Sequence, residues 1–162
     1  MIILGIDPGL SITGFGVIKT QGKTKMKALG WGAVKTSKNK IFSKRLLEIH
    51  KNIKEIIKKY KPDRASVEKL YFAKNAKSAM KVGEARGVAV LALESKKIPI
   101  FEFTPLEIKQ AVVGYGNAKK HQVQVMVKQF LKLDDIPKPV DAADALAAAI
   151  TCFQTKKFDK TK

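Results

Sequence analysis

Four acidic residues of this chain lie at the edges of apolar segments, where a carboxylate is expensive to bury. Asp7 ends the apolar run "MIILGID" and precedes a Pro-Gly turn, and Glu68 lies in "SVEKLYF". Asp141 and Asp144 occur in "VDAADALAAAI", three residues apart and therefore on one face of a helix. If the four carboxylates converge, their repulsion raises their proton affinity unless cations lie among them. Oxygen ligands with no His or Cys nearby favour a hard ion, Mg²⁺ or Mn²⁺.

Three of these acids, Asp7, Asp141 and Asp144, also have a purely structural interpretation. Asp7 is a common residue for the turn that ends a strand. Asp141 is a candidate helix N-cap, with Asp144 in the first turn, where the helix dipole favours negative charge. Under this interpretation the chain is a non-catalytic binding module whose acids cap and pair.

The net charge indicates which substrate an acidic metal site would act on. The 162 residues contain 32 Lys and Arg but only 14 Asp and Glu, a net charge of +18. Such a balance favours nucleic acid, because each neutralised phosphate releases counterions. Only three of the basic residues are arginines, so phosphate contacts are favoured over base reading. A lysine-rich, solvated surface of a heat-adapted protein is the alternative. Two metal ions on a phosphate-binding surface would support phosphodiester hydrolysis.

The first half of the chain supplies the elements that must position these acids. The apolar run "MIILGID" is followed by two alternating segments, "TGFGVIKT" and "KMKALGWGAVKT". Three strands in a row predict an antiparallel meander. The segment "IFSKRLLEIHKNIKEIIKKY" carries Phe42, Leu46, Ile49, Ile53, Ile56 and Tyr60 at helical spacing. This helix is a crossover to the strand "RASVEKL", which is therefore expected to run parallel to its neighbour.

The second half predicts a helix, a strand and three further helices. The helix "NAKSAMKVGEARGVAVLALESKK" carries the small residues Ala79, Gly83 and Gly87, which allow close approach of the sheet or of a second subunit. The strand "IPIFEF" precedes a short helix capped by Thr104, and helices are predicted over 119–132 and 140–154.

The fold class is therefore α/β, with a mixed five-stranded sheet of three antiparallel and then two parallel strands, flanked by helices. Residues 1–155 are expected to form a single domain, and residues 156–162 a basic C-terminal tail. The first residues have no signal-peptide pattern and no apolar run is long enough to cross a bilayer, so a cytoplasmic, nucleoid-associated protein without membrane contact is expected. The single cysteine, Cys152, is interpreted as core filling.

The chain resembles the RuvC family of bacterial Holliday junction resolvases, in the RNase H-like superfamily. The resemblance lies in "GIDPGLSITGFGVI", "SVEKLYFAKNAKSAMKVGEARGVAV", "KQAVVGYGNAKKHQV" and "VDAADALAAAI", which together span nearly the whole chain. It implies a structure-selective endonuclease that resolves four-way DNA junctions by paired symmetric nicks. It also implies a homodimer, RuvA and RuvB as partners, and two Mg²⁺ ions per site with substrate, Mn²⁺ being the alternative.

The same resemblance implies roles for individual residues. Asp7, Glu68, Asp141 and Asp144 stand where the family has its catalytic, metal-binding acids. Lys109 and Lys120 are implied to contact the DNA near the scissile phosphate, although both residues alone would be interpreted as solvent-exposed lysines. An aromatic residue is implied to stack at the junction centre, and either Tyr71 or Phe72 fits that role. The following residues, Lys74 and Asn75, are implied to contact the DNA backbone.

Two further classes of function remain as rivals. A strand followed by Asp-x-Gly also resembles the first phosphate loop of actin-like ATPases, but 162 residues hold only one of their two lobes and no Walker-type motif is present. The other rival is a nuclease of the same fold that acts on RNA or on linear DNA.

Overall fold

A computed structural model of the chain describes residues 1–22, 24–69 and 76–155, with side chains in the last range from residue 79. In chain order the elements are β1 (Ile2–Asp7), β2 (Ile12–Gln21), β3 (Lys25–Lys35), α1 (Phe42–Tyr60), β4 (Arg64–Glu68), α2 (Ala76–Glu94), β5 (Ile100–Phe103), α3 (Pro105–Val113), α4 (Lys120–Leu131) and α5 (Val140–Gln154).

The five strands form one mixed sheet in the order β3-β2-β1-β4-β5. Strands β1, β2 and β3 are antiparallel neighbours, whereas β4 is parallel to both β1 and β5. The predicted sheet of three antiparallel and two parallel strands is therefore confirmed. Its central strand is β1, so the residue that ends β1 lies in the middle of one edge of the sheet.

The alternation of side chains along β1 divides the apolar core between the two faces of the sheet. Leu4 and Ile6 pack with α1 and α2, whereas Ile3 packs on the opposite face with α3, α4 and α5. Gly5 faces that second group as well, because a Cβ atom there would collide with the carbonyl oxygen of Ala145 in α5. The molecule thus has three layers, with α5 against the middle of the sheet.

Two glycines set how closely α5 approaches the strands. A side chain at Gly5 would meet the backbone of α5 at Ala145, and one at Gly14 in β2 would meet the backbone of Asp141. Both contacts are with main-chain atoms, which cannot move aside as a flexible side chain can. The position of the first two turns of α5 therefore depends on the absence of side chains at these strand positions.

Several local expectations are corrected by the structure. In α1 the predicted apolar face includes Phe42, which is 37% exposed, and omits Arg45, which is buried. In α2 the interpretation that the small residues pack on the sheet is wrong at Gly87, which is exposed with no atom within 4 Å of an added Cβ. The residues of α2 that pack in the core are instead Ala85, Ala89, Ala92 and Leu93.

Of the two predicted helix N-caps, one is confirmed and the other is wrong. Thr104 caps α3 as expected, since its hydroxyl accepts from the Glu107 amide and Pro105 takes the first helical position. The predicted N-cap role of Asp141 is wrong, because α5 already begins at Val140 and its N-cap is Pro139. Capping therefore does not explain why the sequence places a carboxylate at 141.

Candidate active site

Asp7 ends β1 on the side of the sheet that α5 covers. Ile3 and Gly5 point to α5, and Asp7 follows at the next residue of the same alternation. In the antiparallel ladder Asp7 pairs with Gly14, the residue whose missing side chain admits the backbone of Asp141. The strand order and this glycine thus bring the end of β1 to the start of α5.

Glu68 reaches the same edge from the neighbouring parallel strand. The register pairs Ile6 with Val67, so Asp7 and Glu68 each follow one residue after a matched pair. Parallel strands end at the same edge of a sheet, and matched residues point to the same face. The expectation that these two strands lie side by side is confirmed.

The two aspartates of α5 have different surroundings. Asp141 is the second residue of the helix and packs by its backbone against β2. Asp144 lies one turn later, and its Oδ2 is 2.7 Å from the ammonium of Lys120, the first residue of α4. The Lys120 side chain is 60% exposed, so this ion pair lies at the open side of the site.

Three of the four carboxylates surround one open cleft of about 320 Å³. Its charged lining residues are Asp7, Glu68, Asp144, Lys109 and Lys120, and its apolar wall is formed by Pro105, Ile108, Val123 and Ala147. Asp141 does not line the cleft. The carboxylates and the two lysines therefore face a common volume large enough for a phosphate group and water.

The electrostatics of the cleft follow from burial and crowding of like charges. The pKa of Asp7 is raised from 3.8 to about 7, first by burial and then by the charges of Glu68, Asp144 and Asp141. The charge of Lys120 opposes this increase. Burial and Asp144 likewise raise the pKa of Glu68 from 4.5 to about 7, with Lys120 and Lys109 opposing. The cleft thus holds carboxylates whose ionised forms are unstable without added positive charge.

Lys120 supplies part of that charge. Burial raises the pKa of Asp144, whereas the hydrogen bond from Lys120 lowers it. Partial burial lowers the pKa of Lys120, but the hydrogen bond to Asp144 and the charges of Asp7 and Asp141 outweigh it, so the net shift is upward. The ammonium therefore stays protonated over the whole physiological range.

The donor set of the cleft fits a hard divalent cation that is bound jointly with substrate. All the candidate ligands are carboxylate oxygens, the donors that Mg²⁺ and Mn²⁺ prefer. Within residues 1–22, 24–69 and 76–155, however, no three Asp, Glu, His or Cys side chains are arranged to hold one ion by themselves. Mg²⁺ is usually held by one or two carboxylates plus waters and substrate phosphates, which matches such an open arrangement.

Five of the predicted site residues line one cleft, and a sixth, Asp141, lies beside it. The other candidates, Tyr71, Phe72, Lys74 and Asn75, lie outside the described residues. The apolar wall was missed, since an isoleucine or a valine in a helix gives no signal that distinguishes a site from a core. Only the fold shows that Ile108 and Val123 border the carboxylates.

The order of the sheet and the acidic cleft at its edge define an RNase H-like nuclease. A family profile described as "Crossover junction endodeoxyribonuclease RuvC" matches residues 3–152. The chain belongs to the RuvC family of crossover junction endodeoxyribonucleases, as the resemblance in its sequence indicated. This assignment excludes the actin-like phosphotransferase and the non-catalytic module.

Individual relatives agree with this family assignment. A crossover junction endodeoxyribonuclease RuvC of Ruminiclostridium cellulolyticum is 54% identical over 150 residues, which are 93% of this chain and 90% of that protein. The solved structure of Thermus thermophilus RuvC superposes with a TM-score of 0.87 at 36% identity, covering 94% of both chains. The T. thermophilus protein in complex with a Holliday junction substrate gives a TM-score of 0.88, also at 36% identity, over 93% of this chain and 92% of that one.

Within the part of the chain that the structure describes, no helix has the length and apolarity to cross a membrane.

Proposed function

We propose that this chain hydrolyses phosphodiester bonds of four-way DNA junctions at the Asp7 cleft, using divalent cations bound by Asp7, Glu68, Asp141 and Asp144. The observation that carries the proposal is the convergence of Asp7, Glu68 and Asp144 on one cleft beside two lysines, in a chain of net charge +18. The similarity to a relative solved with a Holliday junction substrate supports junction DNA as the substrate.

Mg²⁺ is the proposed ion, with Mn²⁺ as the alternative and two ions per site once substrate is bound. Such ions, when bound, supply an activated water and stabilise the leaving oxygen. The proposed ligands are Asp7 and Glu68, which lie on neighbouring strands at the sheet edge, and Asp144, which lines the same cleft. Asp141 lies beside the cleft, and its negative charge raises the pKa of Asp7. It is the proposed fourth ligand.

Lys109 and Lys120 are proposed to contact the phosphate near the cut. Both line the cleft, and both oppose the negative potential of Glu68. A phosphodiester entering this volume brings another negative charge among the acids, so a lysine on the open side lowers the cost of its approach. The ammonium of Lys120 is the better exposed contact, because its side chain is 60% accessible while it pairs with Asp144.

Four residues that follow Glu68 in the sequence are proposed to contact the junction beyond the cut. Tyr71 or Phe72 would stack on a base at the open centre, worth about 1 to 3 kcal/mol per base. Lys74 and Asn75 would contact the backbone of the same region. The support is their sequence position, since only a few residues separate them from Glu68 at the sheet edge.

A homodimer joined through α2 is proposed to place two such clefts on the two symmetric strands. Met80 and Leu91 of α2 are 69% and 62% exposed, and the exposed Gly87 lies between them with open space around it. This apolar, small-residue surface lies on a helix whose other side packs in the core, and it is suited to a second copy of the chain.

We also propose RuvA and RuvB as partners, a cytoplasmic, nucleoid-associated location, and a single domain over residues 1–155 followed by a basic tail over 156–162. These proposals rest on the family membership and on the composition of the sequence. The tail lies outside the described residues.

The decisive experiment is cleavage of an end-labelled, immobile four-way junction with and without Mg²⁺, mapped to nucleotide resolution. Paired nicks at symmetric positions that require Mg²⁺ are expected from the wild-type chain. Asp7→Asn should bind the junction as tightly as the wild type and make no nicks. Equal cutting of a linear duplex of the same length would instead favour a general nuclease, and normal cutting by Asp7→Asn would remove that residue from the site.

A further inference from the structure

Arg45 of α1 is the one charged side chain among the buried residues that the structure describes. It is 9% exposed, and no carboxylate in the described ranges lies within 4 Å of its guanidinium. A buried cation without a counter-ion is costly unless polar groups satisfy its donors. The partners that Arg45 does have therefore indicate its role.

One partner lies in the loop that follows Asp7, and the other lies directly after β3. The Nε atom of Arg45 donates to the Thr36 hydroxyl and its Nη2 atom to the Ser11 hydroxyl, both at 2.9 Å. Thr36 follows β3, and Ser11 is the last residue of the loop between β1 and β2. One planar guanidinium thus joins α1 to two separate segments, a geometry that lysine cannot reproduce.

Thr36 passes this connection on to the loop. Its hydroxyl accepts from Arg45 and donates to the Leu10 carbonyl at 2.5 Å, while its amide donates to the Ser11 carbonyl at 3.0 Å. The hydroxyl uses both its donor and an acceptor site, so its orientation is fixed. Leu10 is itself buried, which leaves the end of the loop little freedom.

The beginning of the same loop is held independently. The Thr13 hydroxyl donates to the Gly9 carbonyl at 2.6 Å, within the β1–β2 hairpin. The loop of residues 8–11 is therefore held at Gly9 from β2, at the Leu10 and Ser11 carbonyls by Thr36 after β3, and at the Ser11 hydroxyl by Arg45 of α1. Asp7 lies immediately before this loop, among acids that repel it.

We propose that Arg45 is a positioning residue for Asp7: through Thr36 and Ser11 it fixes the loop that keeps the Asp7 carboxylate in the cleft. This inference deepens the proposed function and rests on it. An open cleft without a preformed cage depends on such outer support, because an ångström of displacement at a ligand is enough to lower the rate by about a hundredfold. Arg45 does not line the cleft, and α1 packs on the face of the sheet opposite α3, α4 and α5, so its role is separate from that of the cleft residues.

The test compares Arg45→Met with Lys44→Met, which removes a neighbouring, exposed positive charge from the same helix. In single-turnover cleavage with saturating protein, Arg45→Met should lower the rate by about 10- to 100-fold and Lys44→Met by less than about twofold. Junction affinity in chelator should stay within about twofold of wild type for Arg45→Met. Mn²⁺ titration by electron paramagnetic resonance on the metal-free protein with uncleaved junction should show weakened binding.

Hydrogen exchange separates positioning from general destabilisation. In Arg45→Met, exchange should rise in peptides covering residues 8–14 and stay unchanged in β4 and α5. A uniform rise across the sheet, or a wild-type cleavage rate, would overturn the positioning role.

If Arg45→Met does not fold, a second pair of variants tests the positioning role. Thr36→Val removes the hydroxyl at constant shape and should reproduce the cleavage defect, whereas Thr36→Ser keeps the hydroxyl and should cleave nearly as wild type. Equal rates for the two would contradict the proposal. Asp7→Asn is run in parallel: if it cuts normally, the proposed function fails, whereas an inactive Asp7→Asn beside a fully active Arg45→Met overturns only the inference about Arg45.

Discussion

The Lys120 ammonium lies 2.7 Å from Oδ2 of Asp144, so the first residue of α4 forms an ion pair with a carboxylate of α5 in the acidic cleft. The same lysine lowers the pKa of both Asp7 and Glu68, which burial and mutual repulsion raise. Lys120 thus partly compensates the negative charge of acids that belong to three different elements.

Replacing Lys120 with Met should therefore raise the pKa of Asp7 and Glu68 above about 7 in the metal-free protein. Carboxyl ¹³C NMR titration measures this directly. The cleavage rate at neutral pH should fall by about 10- to 100-fold, because a contact to the phosphate is lost as well. Lys119→Met, which removes the exposed neighbouring lysine, serves as the control; an equal pKa change in both variants would contradict a specific role for Lys120.

The raised pKa of Asp7 predicts that its charge destabilises the metal-free fold at neutral and alkaline pH. Between about pH 4 and 7 the unfolded chain has lost the Asp7 proton while the folded chain still holds it, so the free energy of unfolding falls as pH rises. Asp7→Asn removes this penalty. In chelator it should be more stable than wild type at pH 8, by on the order of 1 to 3 kcal/mol, with the difference vanishing near pH 4. Urea unfolding at both pH values measures it, and an identical difference at the two would contradict the assignment.

A stabilising substitution is predicted outside the cleft, at Ser66. It is fully buried in β4, and its hydroxyl has no hydrogen-bond partner among the described residues. Ser66→Ala should therefore raise the free energy of unfolding by about 1 kcal/mol and leave cleavage unchanged. The matched control is Thr151→Val, since the buried Thr151 hydroxyl donates to the Ala147 carbonyl at 2.9 Å and its removal should bring no such gain.

The proposed dimer surface can be tested by placing charge on it. Leu91→Glu on α2 should convert the dimer to a monomer in analytical ultracentrifugation, because burying an unpaired carboxylate in an apolar interface is unfavourable. Leu47→Glu, on an exposed position of α1, should leave the association state unchanged. A monomer in both variants, or a dimer in both, would exclude α2 as the specific contact.

The close approach of α5 to the sheet predicts a difference between two glycines. Gly14→Ala should lower stability by about 1 to 3 kcal/mol and reduce cleavage, since the added methyl group would collide with the backbone of Asp141. Gly87→Ala, in a helix with open space around it within one protomer, should instead stabilise the monomer by about 0.5 to 1 kcal/mol. Thermal unfolding compares the two variants, and similar losses from both would contradict the packing argument.

The arrangement of the strands was predictable from the sequence for physical reasons. The crossover helix made β4 parallel to its neighbour, and period-two alternation then placed Glu68 on the same face and edge as Asp7. Such arguments depend only on backbone geometry and on the distribution of apolar residues. They do not depend on details of packing.

The burial of Arg45 and the start of α5 could not be predicted from the sequence. In a helix rich in exposed lysines, an arginine is expected at the surface, and only the hydroxyls of Ser11 and Thr36, distant in sequence, explain its burial. Asp141 fits the N-cap pattern, yet α5 begins after Pro139, because packing against Gly14 rather than local capping sets the position of that helix end.

The contact between α5 and two glycines of the sheet links the strands to the spacing of the acids. A side chain at Gly5 or Gly14 would meet main-chain atoms of α5. Ten residues of α5 are buried as well, so the helix cannot shift to make room without disturbing the core. A substitution at either glycine would therefore change the distance between Asp7 and the aspartates of α5, although neither glycine lines the cleft.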